Sequence, residues 1–127
     1  MKFSVSSIGK TYCIDFKDRD YLVIRDESAI GKSLLFKELE RGLHGRCLLI
    51  DYHNYERIPD LLSVNYDLIL FDNADLYYKD FISILESLQT PNVISIKHTS
   101  PIQYRCRKYN SGQIERTEDG GIILLPR

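Results

Sequence analysis

Three consecutive residues, Gly31-Lys32-Ser33, carry the strongest chemical signal in this chain. They follow a short apolar run, Tyr21-Leu-Val-Ile-Arg25, and open a segment whose leucines recur at helical spacing. A glycine, a lysine and a hydroxyl at a helix start suit the holding of a polyphosphate. Backbone N–H groups of such a loop converge on one concavity, and the helix adds the positive end of its dipole. Lys32 would reach the β- and γ-phosphates as a point charge, and Ser33 would give its hydroxyl to magnesium. The cradle would run through Ser28, Ala29, Ile30, Gly31, Lys32, Ser33 and Leu34. The phosphate-loop pattern G-x-x-x-x-G-K-[ST] asks for a first glycine at position 26, and this chain has Asp26 followed by Glu27. Aspartate tolerates tight turns. Two carboxylates beside a polyphosphate repel it unless both point outward.

A second candidate group lies at Asp72, which ends the apolar run Leu68-Ile-Leu-Phe71. A carboxylate at the C-terminal end of a buried strand can hold hydrated magnesium beside the phosphate loop. Asp72 is also suited to capping whatever follows it. Asn73 comes next and is no carboxylate base, although a side-chain amide can position water. Asp75 is the nearest further carboxylate, and N-capping of a helix from Leu76 is its simpler role. His98 closes another apolar run, Asn92-Val-Ile-Ser-Ile-Lys-His98, with Thr99 and Ser100 behind it. A polar group there could sense a terminal phosphate, or be a solvated loop residue. The candidate catalytic set is therefore Lys32, Asn73, Asp75 and His98, and the candidate magnesium ligands are Ser33 and Asp72.

The elements that must position these groups alternate. Phe3 to Ile8 and Tyr12 to Phe16 show period-two patterning around Gly9-Lys10, which predicts a hairpin. The strand Tyr21–Arg25 leads into a helix from Lys32 to Leu43, with a stop signal at Gly42 to Gly45. Arg46 to Asp51 and Tyr66 to Asp72 are continuous apolar runs, as buried parallel strands require. Ile58 to Val64 predicts a short helix with Pro59 in its first turn. Leu76 to Leu88 predicts a longer one, ended by Thr90-Pro91-Asn92. Beyond Pro101 the pattern predicts a hairpin, Ile102 to Tyr109 and Gln113 to Thr117 around Asn110-Ser-Gly112, and a last strand Ile122–Leu125. Strands alternating with helices predict one α/β domain over residues 1–127, with a mainly parallel central sheet and antiparallel additions from both ends.

Taken together, the loop strand, the helix, the strand ending in Asp72 and the strand ending in His98 resemble the core of P-loop ATPases of the AAA and ABC broad class, over roughly residues 21 to 100. The resemblance implies a three-layer α/β/α sandwich, ATP or GTP with Mg2+ as cofactors, and the sensor-like strand lying between the loop strand and the Asp72 (Walker B) strand. It also casts His98 as a switch histidine. Many such ATPases place a glutamate where this chain has Asn73, so the resemblance implies weak or partner-dependent hydrolysis. There is no L-S-G-G-Q segment and no lid. A transport or unfolding motor is therefore not expected, and a nucleotide kinase lacks its acceptor pocket.

Composition narrows the field without choosing. The 127 residues are 43% hydrophobic and 28% charged, with net charge −1. No basic excess points to nucleic acid, no run reaches the roughly 18 apolar residues of a membrane span, and the N-terminus reads as a strand rather than a signal peptide. Cys13, Cys47 and Cys106 are scattered, which predicts reduced thiols in a cytoplasmic protein and no zinc. The partners expected are a nucleotide and a protein or second copy, which could supply an arginine; Arg105 and Arg107 could be offered in the same way. The alternative is a degenerate phosphate loop that binds no nucleotide and serves protein interaction, a reading that Asp26, Glu27 and Asn73 favour.

Overall fold

The computed structural model describes residues 1–17, 20–24, 31–77, 81–96 and 109–127. The described residues form eight strands: β1 (Lys2–Ser7), β2 (Lys10–Asp15), β3 (Tyr21–Ile24), β4 (Cys47–Ile50), β5 (Leu68–Phe71), β6 (Asn92–Ile96), β7 (Asn110–Arg116) and β8 (Ile122–Pro126). They are hydrogen-bonded in the order β1-β2-β8-β7-β3-β6-β5-β4. The block β3-β6-β5-β4 is parallel throughout. The other four strands are mixed: β1–β2 and β7–β8 are antiparallel, whereas β2 pairs with β8 and β3 with β7 in parallel. The expected additions from both chain ends thus meet on one side of the parallel block and pair with each other.

Period-two alternation divides the core between the two faces of the sheet. Leu49, Leu68, Leu70 and Val93 join one cluster, with Leu35, Phe36 and Leu39 of helix α1 (Lys32–Gly42) and with Phe3, Tyr12, Ile14, Ile122 and Leu124. Leu48, Ile50, Ile69, Phe71, Ile94 and Ile96 join the other, with Ile58 of α2 (Ile58–Leu61) and Phe81 and Leu85 of α3 (Phe81–Ser87). All four residues of β4 and of β5 are buried, because helices take both faces. Leu35, Phe36 and Leu39 are fully buried, each contributing roughly 1.5–3 kcal/mol of apolar burial.

Three expectations change. The segment Leu76 to Leu88 is not one helix. Ala74–Leu76 forms a 3-10 turn that ends at an extended Tyr77 (φ −85°, ψ 165°), and α3 begins at Phe81. Asp75 therefore lies inside that turn rather than capping a helix from Leu76. Asn110-Ser-Gly112 is strand, not turn. Gly112 is there for close approach, since a Cβ would lie 2.8 Å from Leu124 Cδ1 and 3.3 Å from Tyr21. The hairpin partner of β7 is β8, through Thr117 to Gly121; positions 102–108 lie outside the described residues. At the other hairpin the turn is Ile8-Gly9, both left-handed (φ 51° and 74°), rather than Gly9-Lys10.

Two surface features of the sheet matter later. The outer edge of β4 is partly covered. Asn54 donates its Nδ2 to Leu49 O (3.0 Å) and accepts Asp51 N at its Oδ1 (2.8 Å), and the Glu40 carboxylate lies beside the Leu49 N–H. At the opposite end, the β7–β8 turn is tied to β2 through Asp119. Its carboxylate accepts the Thr117 hydroxyl, the Thr11 hydroxyl (2.7 Å), the Thr11 N–H (3.1 Å) and the Gly121 N–H (3.0 Å). The Thr117 and Thr11 hydroxyls lead in holding Asp119 well below the usual carboxylate range. A depressed folded pKa gives stability that is present above the unfolded value, about 4, and is lost as pH falls below it. We expect the unfolding midpoint of the wild type to drop more steeply below about pH 4 than that of Asp119→Asn. Urea melts from pH 7 to pH 3 measure this, and parallel curves would refute it.

Candidate functional site

The C-terminal ends of the parallel strands bring three groups together. Lys32 is the first residue of α1 and follows Gly31, whose backbone is left-handed (φ 108°, ψ −22°). A side chain at position 31 would be strained by that φ, and its Cβ would come within 2.9 Å of Ile122 Cδ1. Asp72 follows the last residue of β5, and its N–H bonds Ile50 O at 2.8 Å. Ser95 lies on β6, which runs between β3 and β5 as the resemblance implies. Lys32 Nζ sits 3.2 Å from Asp72 Oδ1 and donates to Ser95 Oγ. The lysine side chain is 3% exposed and the aspartate 14%.

This arrangement runs against local rules in an informative way. A cation at a helix N-terminus faces the positive end of the dipole. A buried ammonium also needs a counter-charge and further hydrogen bonds. Asp72 and Ser95 supply both. Asp72 Oδ1 is within ion-pair distance, yet it is buried and accepts no hydrogen bond; Asp75 Oδ1 is buried in the same condition. Orphaned buried oxygens are rare and often mark sites that take an ion or water.

The other predicted residues fall around this centre. Ser33 and Leu34 are exposed on the first turn of α1, Leu34 at 46%. Asn73 adopts a left-handed backbone (φ 53°, ψ 49°), which bends the chain sharply after Asp72. Asp75 is half-buried in the turn that packs against β6. Asp26, Glu27, Ser28, Ala29, Ile30 and His98 lie outside the described residues, as do Thr99, Ser100, Arg105, Arg107 and Cys106.

Two participants were not among the sequence candidates. Ser95 is the one polar residue between Val93 and Ile96, and alternation puts it on the face of Val93, where α1 packs. That polar interruption was its signal. Tyr77 carries no such signal. Its hydroxyl lies 2.7 Å from Ile50 O and 2.5 Å from Asp72 O, donating its proton between the two strand ends. Its ring stacks on Tyr55 at 5.2 Å and meets Phe81 edge-on at 5.1 Å. Burial and neighbouring Asp72 and Asp51 hold the phenol far above its ordinary range, so it acts as a fixed donor. It fixes the backbone that presents Asp72.

The magnesium ligands of the sequence reading fit in kind. Asp72 offers an unsatisfied carboxylate oxygen and Ser33 an exposed hydroxyl near the helix start. Among the described residues no three His, Cys, Asp or Glu side chains form a metal cage. Magnesium needs none, since it is usually held by one or two protein oxygens, phosphates and water. The thiols play no part here: Cys13 and Cys47 are free and buried, and burial pushes Cys47 up to about 12. Among the described residues no helix is long and apolar enough to cross a membrane. No protein-family model, curated protein or solved structure matches the chain.

Proposed function

We propose that this chain is a P-loop-like nucleotide-binding protein. In this reading it has a three-layer α/β/α core, takes ATP or GTP with magnesium, and hydrolyses slowly or only with a partner. One observation carries the reading. A lysine buried at the positive end of a helix, at the C-terminal edge of a parallel sheet, meets the aspartate that ends the next-but-one strand. An open α/β sheet binds its ligands at that edge.

Lys32 then exchanges one anion for another. In the free protein Asp72 neutralises it; with nucleotide bound, the β- and γ-phosphates take that role, and Asp72 and Ser33 become available to magnesium. The metal would offset charge on the phosphate oxygens. Ser95 keeps Lys32 oriented in either state through its hydroxyl. Asn73 brings no carboxylate to the attacking water, so turnover by the chain alone is expected to be slow. Calorimetry with magnesium and ATP or GTP tests the reading. Wild type should bind, and Lys32→Ala should bind about ten-fold more weakly or worse, given that charge-assisted contacts are the strong ones. Wild type that takes up no nucleotide at millimolar concentration defeats it.

That failure would leave a second reading, a degenerate loop serving protein interaction. It is favoured by the buried Lys32–Asp72 pair, in which the lysine already has its counter-charge without a ligand. On that reading the double variant Lys32→Met, Asp72→Leu keeps every function of the protein.

A further inference from the structure

The two edges of the sheet are built differently. The outer edge of β4 is partly capped, Asn54 taking up Leu49 O and Asp51 N. The outer edge of β1 has no pairing strand among the described residues. Met1 and Phe16 exchange both backbone hydrogen bonds (2.8 and 3.2 Å), so in the register Lys2↔Asp15 to Ser7↔Lys10 the odd residues of β1 bond to β2. Alternation then turns the N–H and C=O of Lys2, Ser4 and Ser6 outward. All three residues are exposed. An open edge of this length is a template for another strand.

We propose that β1 is a homodimer interface, in which it pairs antiparallel with β1 of a second copy about a two-fold axis at Ser4. Two features select a second copy. The first is register: centring on Ser4 sets Lys2 against Ser6 and Ser4 against Ser4, so every outward backbone group meets another and no like charges are opposed. The second is the apolar ends. Met1 is 68% exposed and Ile8 96%. The same register places Met1 opposite Ser7 of the other copy. It then lies at the mouth of a groove of about 350 Å³ between β1 and α1, lined by Val5, Ser7, Ile8, Glu38, Arg41 and Gly42.

Ile8 strengthens the case because it suits folding poorly. It is β-branched, almost fully exposed, and holds φ 51° in a turn where asparagine before glycine is the favoured pair.

Sedimentation equilibrium of the wild-type chain over a wide concentration range, with thermal melts alongside, tests the proposal. The wild type should form a dimer. Ser4→Pro removes an outward N–H that the β1–β2 ladder does not use, and Pro is tolerated on an edge strand. It should weaken dimerisation roughly ten-fold or more, as loss of interchain hydrogen bonds implies. Ile8→Asn should raise the melting temperature of the monomer while weakening the dimer, which a merely damaged fold cannot do. If Ser4→Pro fails to fold, Ile8→Asn decides. A wild type that stays monomeric, or a dimer that Ile8→Asn leaves as tight as before, overturns the proposal.

Discussion

Asp72→Ala is expected to lower the free energy of unfolding by about 3–5 kcal/mol, the usual cost of removing one member of a buried ion pair. The substitution takes the counter-charge from Lys32, whose side chain is almost entirely out of water. Urea denaturation at neutral pH measures the loss. The double variant Lys32→Met, Asp72→Leu should recover most of it, because an apolar pair of similar volume carries no charge to desolvate. A cost below about 1 kcal/mol for Asp72→Ala, the range of exposed pairs, would show that the pair is not held in solution. The same energy bears on ligand affinity. A polyphosphate that draws Lys32 from Asp72 must offset the broken pair, so the observed affinity is weaker than its local contacts alone would give.

Gly121→Ala is expected to cost about 3 kcal/mol or more, the upper range of overpacking. A Cβ at this position would stand 1.7 Å from Thr11 O and 2.6 Å from Thr11 C, which are backbone atoms of β2. Neither can move without loosening the β2–β8 ladder that joins the two ends of the chain. Gly120→Ala is the control. There the Cβ meets only Lys10 Cε at 3.6 Å, and the cost is the left-handed φ of 88°, roughly 1 kcal/mol. Thermal melts of the two variants should therefore differ widely. Equal shifts would mean that strand approach is not what fixes the glycine at 121.

The parallel block and its two buried runs were legible in the sequence because continuous apolar strands with helices between them have few other solutions. Lys32 and Asp72 were legible for a similar reason, each sitting where an apolar pattern starts or stops. What escaped was set by contacts between distant segments. Asn110-Ser-Gly112 carries turn chemistry, yet Gly112 is needed where Tyr21 and Leu124 close over it. The interruption at Tyr77 depends on its hydroxyl reaching Ile50 and Asp72. The parallel pairing of β2 with β8 joins residues more than a hundred positions apart, and neither strand records its partner. Ser95 was written in the pattern as a single polar break in an apolar strand, but its role required knowing that α1 lies on that face.

The covering of β4 by Glu40 and Asn54 also bears on aggregation. A sheet open at both edges can recruit copy after copy into a filament. A sheet open at one edge can pair that edge with the same edge of a second copy about a two-fold axis, and growth then stops. In the proposed dimer, the capping by Asn54 at β4 opposes further strand addition there, so that assembly begun at β1 tends to end with two copies.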